Sequence, residues 1–554
     1  MKKTSTKIIL IIILLGLIGG RGYGYYRYKE QKRIEYEIWL NETVTRYLAN
    51  DRPQLTITDE EGNEHSVIRG TEVQFKHNKV VDEEHPEKKE IILNDTLYYV
   101  DESYLVDYLT QCVTEKQMFT ERPEEVYKNG NMLEIAYSVN KNVPVEIIGF
   151  REINDDGTVD IYKIRTEAGE GYLYGDEYHL AYEYVERSLD GSRYAEHADD
   201  EGGEAKDIPY YPKNVKEGSD LVDIPGNVMP DVCKTLYLNG DAISYADDYI
   251  RLADTCGINA FVIDIKDGES IAYDSPTIKK YSPSSNEGIN SYELFKNSVK
   301  KIKDAGYYII ARITVFKDDG FLKDHPETAI TRNGKPYEFN WSNWPSIFNR
   351  LVWEYNVALG VEAVRDFGFN EIQFDYVRCP EYIPSGTDMK NTYNESRIEA
   401  VTKFVYYATE VLHREGAYVS VDVFGELVGG YVTQYGQYWC ALSNAADVIS
   451  SMPYPDHFNE WDYGLAIPWK QPYDLMWNWS YFARERQEET YYPARMRTWI
   501  QAYDSYKDGT YYGYDKVKAQ IDALTDNGVN QGYMTWNGAS DIDKYWDIKN
   551  AFNK

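Results

Sequence analysis

Polar side chains interrupt several apolar runs after about residue 230 of the chain, always late in the run. Three of these runs carry polar residues two positions apart, namely Asp264 with Lys266, Gln373 with Asp375, and Ser420 with Asp422. Arg312 and Gln501 stand late in two further runs. Because residues two apart share a face of a β-strand, each pair should lie on one side of a buried strand. We therefore expect these side chains to line a common site.

A pair of carboxyl groups in a pocket without a metal-binding motif is typical of enzymes that hydrolyse glycosidic bonds. One carboxylate acts as a nucleophile, or as a base for water. Another stays protonated as the general acid, because burial or a neighbouring like charge raises its pKa. Asp375, late in the run "EIQFDYV", is the first candidate for catalysis. No metal ion and no cofactor is expected.

Aromatic residues could supply the platforms on which sugar rings stack. They make up 15% of the chain, which has 53 Tyr and 12 Trp, and exposed aromatic rings present large apolar faces. Core packing is the stronger explanation for Trp499, which lies inside a strand, than for Trp341 and Trp344 in the loop "NWSNWPS". The candidate platforms are Trp341, Trp344, Tyr454, Trp499 and Trp536.

The runs that hold these residues alternate with amphipathic segments of helix length. The eight strand candidates are "KTLYLNG", "AFVIDIKD", "YIIARITVF", "EIQFDYV", "YVSVDVFGE", "DVISSMPY", "RTWIQAYD" and "GYMTWNG". Eight β-then-α units predict an α/β fold of the (β/α)8 type, a TIM barrel, whose active sites lie at the carboxyl ends of the strands. A doubly wound open sheet is the alternative, but no Gly-rich phosphate loop follows the first strand.

The chain upstream of the barrel has a different pattern. A helix is predicted from about Glu35 to Asn50, and alternating segments such as "QLTITDEEGNEHSVI" then predict a small antiparallel β domain. The stretch "VPVEIIGFREINDDGTVDIYKIRTEAGEGYLYGDEYHLAY" resembles the bacterial Src-homology-3-like modules of cell-wall enzymes. That resemblance implies either a cell-wall-binding module or a β spacer without a ligand. An acidic stretch rich in Gly and Pro follows and predicts a linker.

The N-terminus carries an export signal. The uninterrupted apolar run "IILIIILLGLIGG" lies between Lys7 and Arg21, and no A-x-A-like cleavage site follows it. We expect an uncleaved anchor, and hence a single-pass protein of the cell membrane with extracellular C-terminal domains. Secretion after signal cleavage is the alternative. The five Cys form no C-x-x-C pair, so neither a zinc site nor a dense disulfide framework is indicated.

The predicted organisation has five parts, and the charge of the chain restricts its partners. The parts are a basic start and signal anchor (1–34), a helix plus small β domain (35–132), the Src-homology-3-like module (133–186), the acidic linker (187–230) and the barrel (231–554). The formal net charge of −32 repels phosphate backbones and anionic membrane surfaces, so nucleic acid is excluded as a partner. The expected partners are a polysaccharide or cell-wall glycan, and the membrane through the N-terminal segment.

Six sequence blocks carry a family resemblance. They are "NAFVIDIKDGESIAY", "YYIIARITVFKDDGFLKDHPETAI", "FNEIQFDYVRCP", "DVISSMPYPDHF", "RTWIQAYD" and "GYMTWNGAS". In this order, from about Lys234 to Phe552, they are similar to the "putative glycosyl hydrolase" family of bacterial exported proteins, TIM-barrel relatives of glycosidases. The functional residues that this resemblance implies are Asp264, Lys266, Arg312, Asp375, Arg378, Asp422, Tyr454, His457, Gln501 and Trp536.

Three positions depart from the family pattern, which has an aromatic residue at Cys379, a Ser at Asp456 and no acid at Glu426. The two extra acids would change the charge of the pocket. A looser similarity to alpha-amylase barrels implies an Asp nucleophile at the end of the fourth strand and a Glu acid/base at the end of the fifth. Those are the places of Asp375 and Glu426. The catalytic candidates are therefore, in order, Asp375, Asp422, Glu426 and Asp264.

Two functions of different classes follow from these residues. The first is a membrane-anchored or secreted glycoside hydrolase that acts on an extracellular or cell-wall polysaccharide. The second is a non-catalytic glycan-binding or cell-wall assembly protein on the same scaffold. Lys266 and Arg312 should reach the cleft of Asp264 and Asp375 and hold one carboxylate ionised. The alternative is an ion-pair network that only closes the top of the barrel.

Overall fold

The computed structural model describes residues 27–553 except 37, 40, 50–53, 81–87, 113–114, 155–157, 177, 183–219, 286 and 491. The apolar run of the predicted anchor and most of the predicted linker lie outside the described residues. Within those residues, no helix combines the length and the apolar character that crossing a membrane requires. The chain divides into two compact units, Met1–Glu121 with Asn142–Tyr184, and Arg122–Lys141 with Val185–Lys554.

The first unit is built from antiparallel strands. One sheet has the spatial order β3-β2-β6-β5-β4-β1-β7 and contains β1 (Thr43–Leu48), β2 (Gln54–Thr58), β3 (Glu64–Ile68), β4 (Glu72–Val80), β5 (Lys88–Leu93), β6 (Thr96–Asp101) and β7 (Leu105–Val106). A second set has the order β13-β12-β11-β8-β14 and contains β8 (Gln117–Thr120), β11 (Pro144–Ile153), β12 (Val159–Thr166), β13 (Gly169–Tyr174) and β14 (Leu180–Ala181). The alternating segments thus form strands, as predicted.

The helix predicted between residues 35 and 50 is wrong over Thr43–Leu48, which forms β1. This strand pairs with β4 in antiparallel register, for example Thr43 opposite Lys76 and Thr45 opposite Gln74. Its β-branched residues lose rotamer freedom in a helix and fit a pleated sheet. Leu48 also joins the apolar core of this sheet. Pairing with a distant strand therefore decides the conformation of this segment.

The second unit contains a parallel, barrel-like sheet. Its strands are β15 (Cys233–Leu238), β16 (Ala260–Asp267), β18 (Tyr308–Thr314), β23 (Glu371–Asp375), β25 (Tyr418–Phe424), β26 (Val448–Met452), β27 (Arg495–Met496), β28 (Thr498–Gln501) and β29 (Gly532–Trp536). β27 pairs with β26, and β28 pairs with β29, so the run Arg495–Gln501 joins the two ends of the sheet as one interrupted strand. All eight predicted strands are present, and the sheet is consistent with the predicted TIM barrel.

Helices alternate with these strands. In the described part of the unit they are α1 (Ala246–Ala253), α2 (Pro276–Tyr281), α3 (Tyr292–Asp304), α4 (Asp319–Asp324), α5 (Arg350–Glu362), α6 (Arg397–Arg414), α7 (Trp439–Ala445), α8 (Pro472–Glu489), α9 (Tyr514–Asp526) and α10 (Ile542–Ile548). Ser396 begins α6 with a capping box, because its hydroxyl accepts from the Glu399 N–H while Glu399 accepts from the Ser396 N–H. Short strands in the loops are β17 (Ser270–Ile271), β19 (Thr331–Arg332), β20 (Lys335–Pro336), β21 (Glu338–Phe339), β22 (Ser342–Asn343) and β24 (Thr387–Asp388).

Residues at the end of the predicted linker pack on the barrel. Leu221, Ile224 and Met229 join the apolar cluster that fills the barrel interior. The Asn227 side-chain amide donates to the carbonyls of Asn370 and Gly416. Asn370 directly precedes β23, and Gly416 lies shortly before β25. This segment therefore covers the amino ends of the strands, opposite the end where the polar residues are expected.

A hairpin from far upstream also belongs to the barrel unit. It consists of β9 (Glu124–Tyr127) and β10 (Ile135–Val139). Arg122 donates to Glu410 on α6 at 2.6 Å, and the Ile135 N–H donates to Glu354 on α5 at 2.8 Å. The helices that surround the barrel therefore bind a segment that precedes them by more than two hundred residues.

Candidate active site

The register of the parallel strands brings the predicted polar residues together. Asp264 on β16 lies beside Arg312 on β18, which lies beside Gln373 on β23 and then Ser420 on β25. Asp375 lies two residues further along β23 than Gln373. Because all strands run in one direction, their carboxyl ends meet at one edge of the barrel. The predicted convergence of these side chains is therefore present.

Arg312 joins three carboxyl groups from three strands. Its Nη1 donates to Asp264 Oδ1 at 2.7 Å, and its Nη2 donates to Asp375 Oδ2 at 2.6 Å. Its Nε lies 3.8 Å from Asp422 Oδ2. The Arg312 residue is only 2% exposed, so these charges interact with little solvent screening. We call Asp264, Arg312, Asp375 and Asp422 the Arg312 cluster.

Two carboxyl groups of the Arg312 cluster hold protons more tightly than usual. Burial raises the pKa of Asp264 to about 7, although the Arg312 charge opposes the rise. Burial, followed by the charge of Asp375, raises the pKa of Asp422 well above its usual range. A buried carboxyl group whose pKa approaches neutrality can act as a general acid. The cluster thus contains two candidates for that role.

The surroundings of these two acids differ. Asp264 accepts a hydrogen bond from the Tyr237 hydroxyl and lines an open pocket of about 340 Å³. Asp422 Oδ1 accepts from the Trp499 indole N–H at 2.8 Å, and its Oδ2 has no hydrogen-bond partner among the described residues. Trp499 is fully buried against it. Asp264 is therefore the acid that a bound molecule can reach from a pocket.

Asp375 is fixed in orientation at the end of β23. Its Oδ1 accepts from the Tyr376 backbone N–H at 2.6 Å, while its Oδ2 accepts from Arg312. Tyr376 has a φ of 53°, a left-handed conformation that is costly for a bulky residue, at about 1–3 kcal/mol. The Tyr376 carbonyl accepts from the Phe316 N–H at 3.2 Å, which holds the turn in place. Strain of this kind clusters at functional sites.

Lys266 does not join the cluster, which corrects the expectation that it shares a cleft with Asp264. The pairing of β16 with β18 shifts between Asp264 and Lys266, so Lys266 lies opposite Ile313. A bulge of this kind changes the face on which the following side chain lies. The Lys266 ammonium instead binds Asp318 and lies 4.9 Å from the ring centre of Tyr355 on α5.

Arg378 and Trp344 lie together in an aromatic cluster rather than in the cleft. The Arg378 guanidinium lies 4.4 Å from the ring centre of Phe424, 5.0 Å from that of Tyr376 and 5.1 Å from that of Trp344. Trp344 is only 1% exposed, so the prediction that it stacks on a sugar is wrong. Its ring packs against Arg378 and so supports the turn after Asp375.

Glu426 and His457 also lie apart from the Arg312 cluster. Both line a pocket of about 880 Å³, and Glu426 is an exposed side chain that accepts from the Tyr435 hydroxyl at 2.6 Å. Glu426 lies on the short helical turn Gly425–Gly429 after β25, beyond the end of the strand. That added length carries it past the level of Asp422 on the strand.

Gln501 and the unexpected acid Asp456 belong to one loop network. The Gln501 side-chain oxygen accepts from the Asp456 N–H at 3.2 Å. The Asp456 carboxylate accepts from the Tyr503 hydroxyl at 2.8 Å and from the Tyr506 N–H at 3.1 Å. Asp456 is therefore tied into the loop after β28. Cys379, the third departure from the family pattern, is buried.

The predicted aromatic platforms divide by exposure. Trp341 is 93% exposed, and Trp536 is partly buried with its ring centre 5.3 Å from the Arg312 guanidinium. Tyr454 and Trp499 are buried, like Trp344, so neither presents a free face on which a sugar could stack. Trp536 lies 4.6 Å from Tyr237 and 6.5 Å from Tyr454, centre to centre. Trp536 therefore lies over the charged cluster, whereas Trp341 stands on the β21–β22 hairpin.

Sequence reasoning missed two residues of the site. Tyr237, which donates to Asp264, is the polar residue late in the first strand run "KTLYLNG". The alternation test that singled out Asp264 would have found it. Asp318, the partner of Lys266, precedes helix α4 as its N-cap. It carries no signal in the sequence beyond that of an ordinary helix cap.

Within the described chain, no group of three or more His, Cys, Asp or Glu side chains is arranged to hold a metal ion. All five Cys are unpaired by disulfides. The charged groups of the site are the Arg312 guanidinium and the carboxyl groups of the Arg312 cluster, together with Asp267, whose Oδ1 lies 3.9 Å from Arg312 Nη1. This arrangement can hold one acid protonated beside an oriented carboxylate.

Residues 235–542 match a protein-family model described as "Putative glycosyl hydrolase domain". No curated protein matches the chain. Among solved structures, a hypothetical protein from Ruminiclostridium thermocellum is 29% identical over 34% of this chain and 97% of its own length, with a TM-score of 0.29. A chitobiase from Flavobacterium johnsoniae is 12% identical over 58% of this chain and 47% of its own, with a TM-score of 0.37. These comparisons do not confirm the Src-homology-3-like module.

Proposed function

We propose that this chain, which belongs to the "Putative glycosyl hydrolase domain" family, hydrolyses glycosidic bonds of an extracellular or cell-wall polysaccharide. The observation that carries the proposal is the pair formed by Asp264 and Asp375, which share the Arg312 guanidinium at 2.7 and 2.6 Å. One member of this pair has a pKa near neutrality, and the other is an oriented carboxylate. Glycoside hydrolysis needs two carboxyl groups in these two roles.

Asp264 supplies the proton in this proposal. Its pKa of about 7 leaves much of it protonated near neutral pH, and it lines the pocket that a sugar would enter. The proton passes to the glycosidic oxygen as the bond from that oxygen to the anomeric carbon breaks. The leaving sugar departs with a neutral hydroxyl group.

Asp375 acts on the anomeric carbon, as the nucleophile or as the base that deprotonates the attacking water. Arg312 and the Tyr376 N–H hold its two oxygens, so the carboxylate is aimed before substrate binds. Asp422, whose pKa is also raised, adds little charge beside it when protonated. The positive charge that develops on the sugar ring is then stabilised by the Asp375 carboxylate.

The test is a panel of cell-wall and extracellular polysaccharides assayed for new reducing ends. The full-length chain should cleave at least one of them, and Asp375→Asn should lower the rate at least about a hundredfold because the reacting carboxylate is lost. Asp366→Asn is the matched control, since Asp366 is an exposed carboxylate that accepts from the Tyr292 hydroxyl and lines neither the pocket of Asp264 nor that of Glu426, and it should leave the rate unchanged. Glycan binding without turnover in every protein would favour the non-catalytic alternative.

An aryl glycoside of the same sugar separates the two roles. Its leaving group departs without protonation, so Asp264→Asn should recover most of its lost activity on this substrate, whereas Asp375→Asn should not. Recovery by Asp422→Asn but not by Asp264→Asn would transfer the role of general acid to Asp422.

We further propose that the chain is exported and stays anchored by its N-terminal segment. The support is the apolar run between Lys7 and Arg21. Export places the barrel on the same side of the membrane as cell-wall glycans. The formal net charge of the whole chain, −32, disfavours binding to phosphate-rich polymers there.

A further inference from the structure

Two open pockets lie among the loops at the carboxyl ends of the barrel strands. The first, the β16-side pocket, has about 340 Å³ and is lined by Tyr237, Asp241, Asp264 and Ile289. The second, the β26-side pocket, has about 880 Å³ and is lined by Phe424, Glu426, His457 and Tyr463. The β16-side pocket accounts for access to Asp264, but the larger one has no part in the mechanism above.

The order of the strands places these pockets on opposite sides of the barrel mouth. Counted around the sheet from β15, the β16-side pocket lies above the first, second and eighth strands, β15, β16 and β29. The β26-side pocket is lined by residues at the ends of the fifth and sixth strands, β25 and β26, by the loops that follow them, and by α8. Asp264, Arg312, Asp375 and Asp422 come from the second to fifth strands. A polymer that enters both pockets by the direct route across the barrel mouth would therefore pass over the Arg312 cluster.

The β26-side pocket has the surface that sugar rings bind. Its lining includes the rings of Phe424, Tyr431, Phe458, Tyr463 and Phe482. Aromatic faces of this kind pack well on apolar faces of other rings. Polar side chains at the edge, among them Glu426 and Asn459, can hydrogen-bond to hydroxyl groups.

A strained loop presents a further tryptophan beside this pocket. Trp461 is 70% exposed although its φ is 73°, and Tyr463 has a φ of 53°. Such conformations cost about 1–3 kcal/mol for a bulky residue and persist where the surroundings impose them. The backbone N–H of Trp461 donates to the Leu465 carbonyl at 2.8 Å, and this hydrogen bond closes the loop. Most of the indole surface is exposed, so packing does not offset the strain. Strained residues of this kind are typical of ligand-binding positions.

We infer that the polysaccharide lies across the barrel mouth, with sugar units in both pockets, and that the enzyme cleaves bonds inside the chain rather than at its end. This inference rests on the proposed function and adds the mode of attack. An enzyme that removes terminal sugars needs a pocket closed on one side of the reacting carboxylates. Here both sides are open, so binding energy from units on each side is available at the reacting bond.

Binding of short oligosaccharides to the full-length Asp375→Asn protein tests the inference, because this variant should not consume them. The probes are hexamers and dimers of β-1,4-linked N-acetylglucosamine, β-1,4-linked glucosamine, β-1,4-linked glucose and α-1,4-linked glucose. Trp461→Ala reports on the β26 side and Ile289→Ala on the β16 side. Trp546→Ala, an exposed tryptophan on α10, is the control.

At least one hexamer should bind, and both Trp461→Ala and Ile289→Ala should weaken its binding, the former by at least about fivefold. The matching dimer should respond to one of the two variants only, and Trp546→Ala should change neither. The unmodified protein should first cut the hexamer at internal bonds.

The inference is overturned if a hexamer binds and is shortened from one end, and if one of the two substitutions does not change its affinity. That result would leave the proposed function intact. If no hexamer binds and no polysaccharide is cleaved, the proposed function fails and the inference fails with it.

Discussion

At the scale of single residues, Arg312 determines what the carboxyl groups can do. One buried guanidinium contacts Asp264 and Asp375 directly and lies 3.8 Å from Asp422. Three buried carboxylates without it would repel one another, and burial alone already raises the pKa of Asp264 and Asp422. Arg312 is therefore placed to lower carboxyl pKa values in the cluster, as expected for one of the two basic residues. Lys266 binds Asp318 instead.

Tyr237→Phe should move the alkaline limb of the pH–rate profile to higher pH. The Tyr237 hydroxyl donates to Asp264 and so favours its ionised form, which lowers the pKa of Asp264. Without this bond, the pKa rises above its value of about 7. Asp264 then stays protonated, and active as the acid, to a pH up to about one unit higher.

Tyr249→Phe is the control for this experiment. Its hydroxyl is also buried but donates to the Ser540 carbonyl, away from the cluster. It should leave the profile unchanged. An alkaline limb that stays fixed in Tyr237→Phe, or moves to lower pH, contradicts the role of Asp264 as general acid.

At the scale of elements, buried ion pairs attach the β9–β10 hairpin to the helices around the barrel. Arg350 at the start of α5 contacts Glu125 on β9 at 2.9 Å and Glu395 at 2.7 Å. Lys403 on α6 also binds Glu395 at 2.6 Å. All four side chains are buried. Because such charges have left water, each depends on its partners.

Arg350→Met should destabilise the barrel unit by about 3–5 kcal/mol, since it leaves buried carboxylates with too few partners. The measurement is the free energy of unfolding from urea titration, followed by tryptophan fluorescence. Arg365→Met is the control, because Arg365 contacts Glu415 at 2.6 Å but its side chain is 62% exposed. An exposed pair contributes about 0–1 kcal/mol. Equal losses in the two variants would show that burial does not set the strength of these pairs.

At the scale of the whole molecule, the proposed export would determine which polymers the barrel can meet. In bacterial cells that express the full chain, the protein should sediment with membranes, and protease added outside intact cells should degrade the barrel. Removal of residues 8–20 should abolish both results, because the apolar run is the predicted anchor. Full protection of the barrel in intact cells would contradict export. Release into the medium with a shortened N-terminus would support the secreted form instead.

Local patterns were sufficient to predict much of the barrel and part of its site. The eight strands follow from runs of β-branched and aromatic residues between helical periodicities. Asp264, Arg312 and Asp375 follow from the alternation of side chains, because the period of a strand is local and the parallel arrangement then brings the strand ends together. Outside the barrel, the helix predicted over Thr43–Leu48 failed, because pairing with a distant strand decided that conformation.

The remaining features depend on contacts between residues that are distant in sequence. A bulge in β16 separates Lys266 from Asp264, and packing against Arg378 buries Trp344. The pKa of Asp264 depends on its burial and on side chains from β15 and β18. The sequence by itself determined which residues reach the carboxyl ends of the strands, since that requires only periodicity. The tertiary structure decided which of them share a proton-binding cluster, because burial and charge pairing exist only once the strands have closed around them.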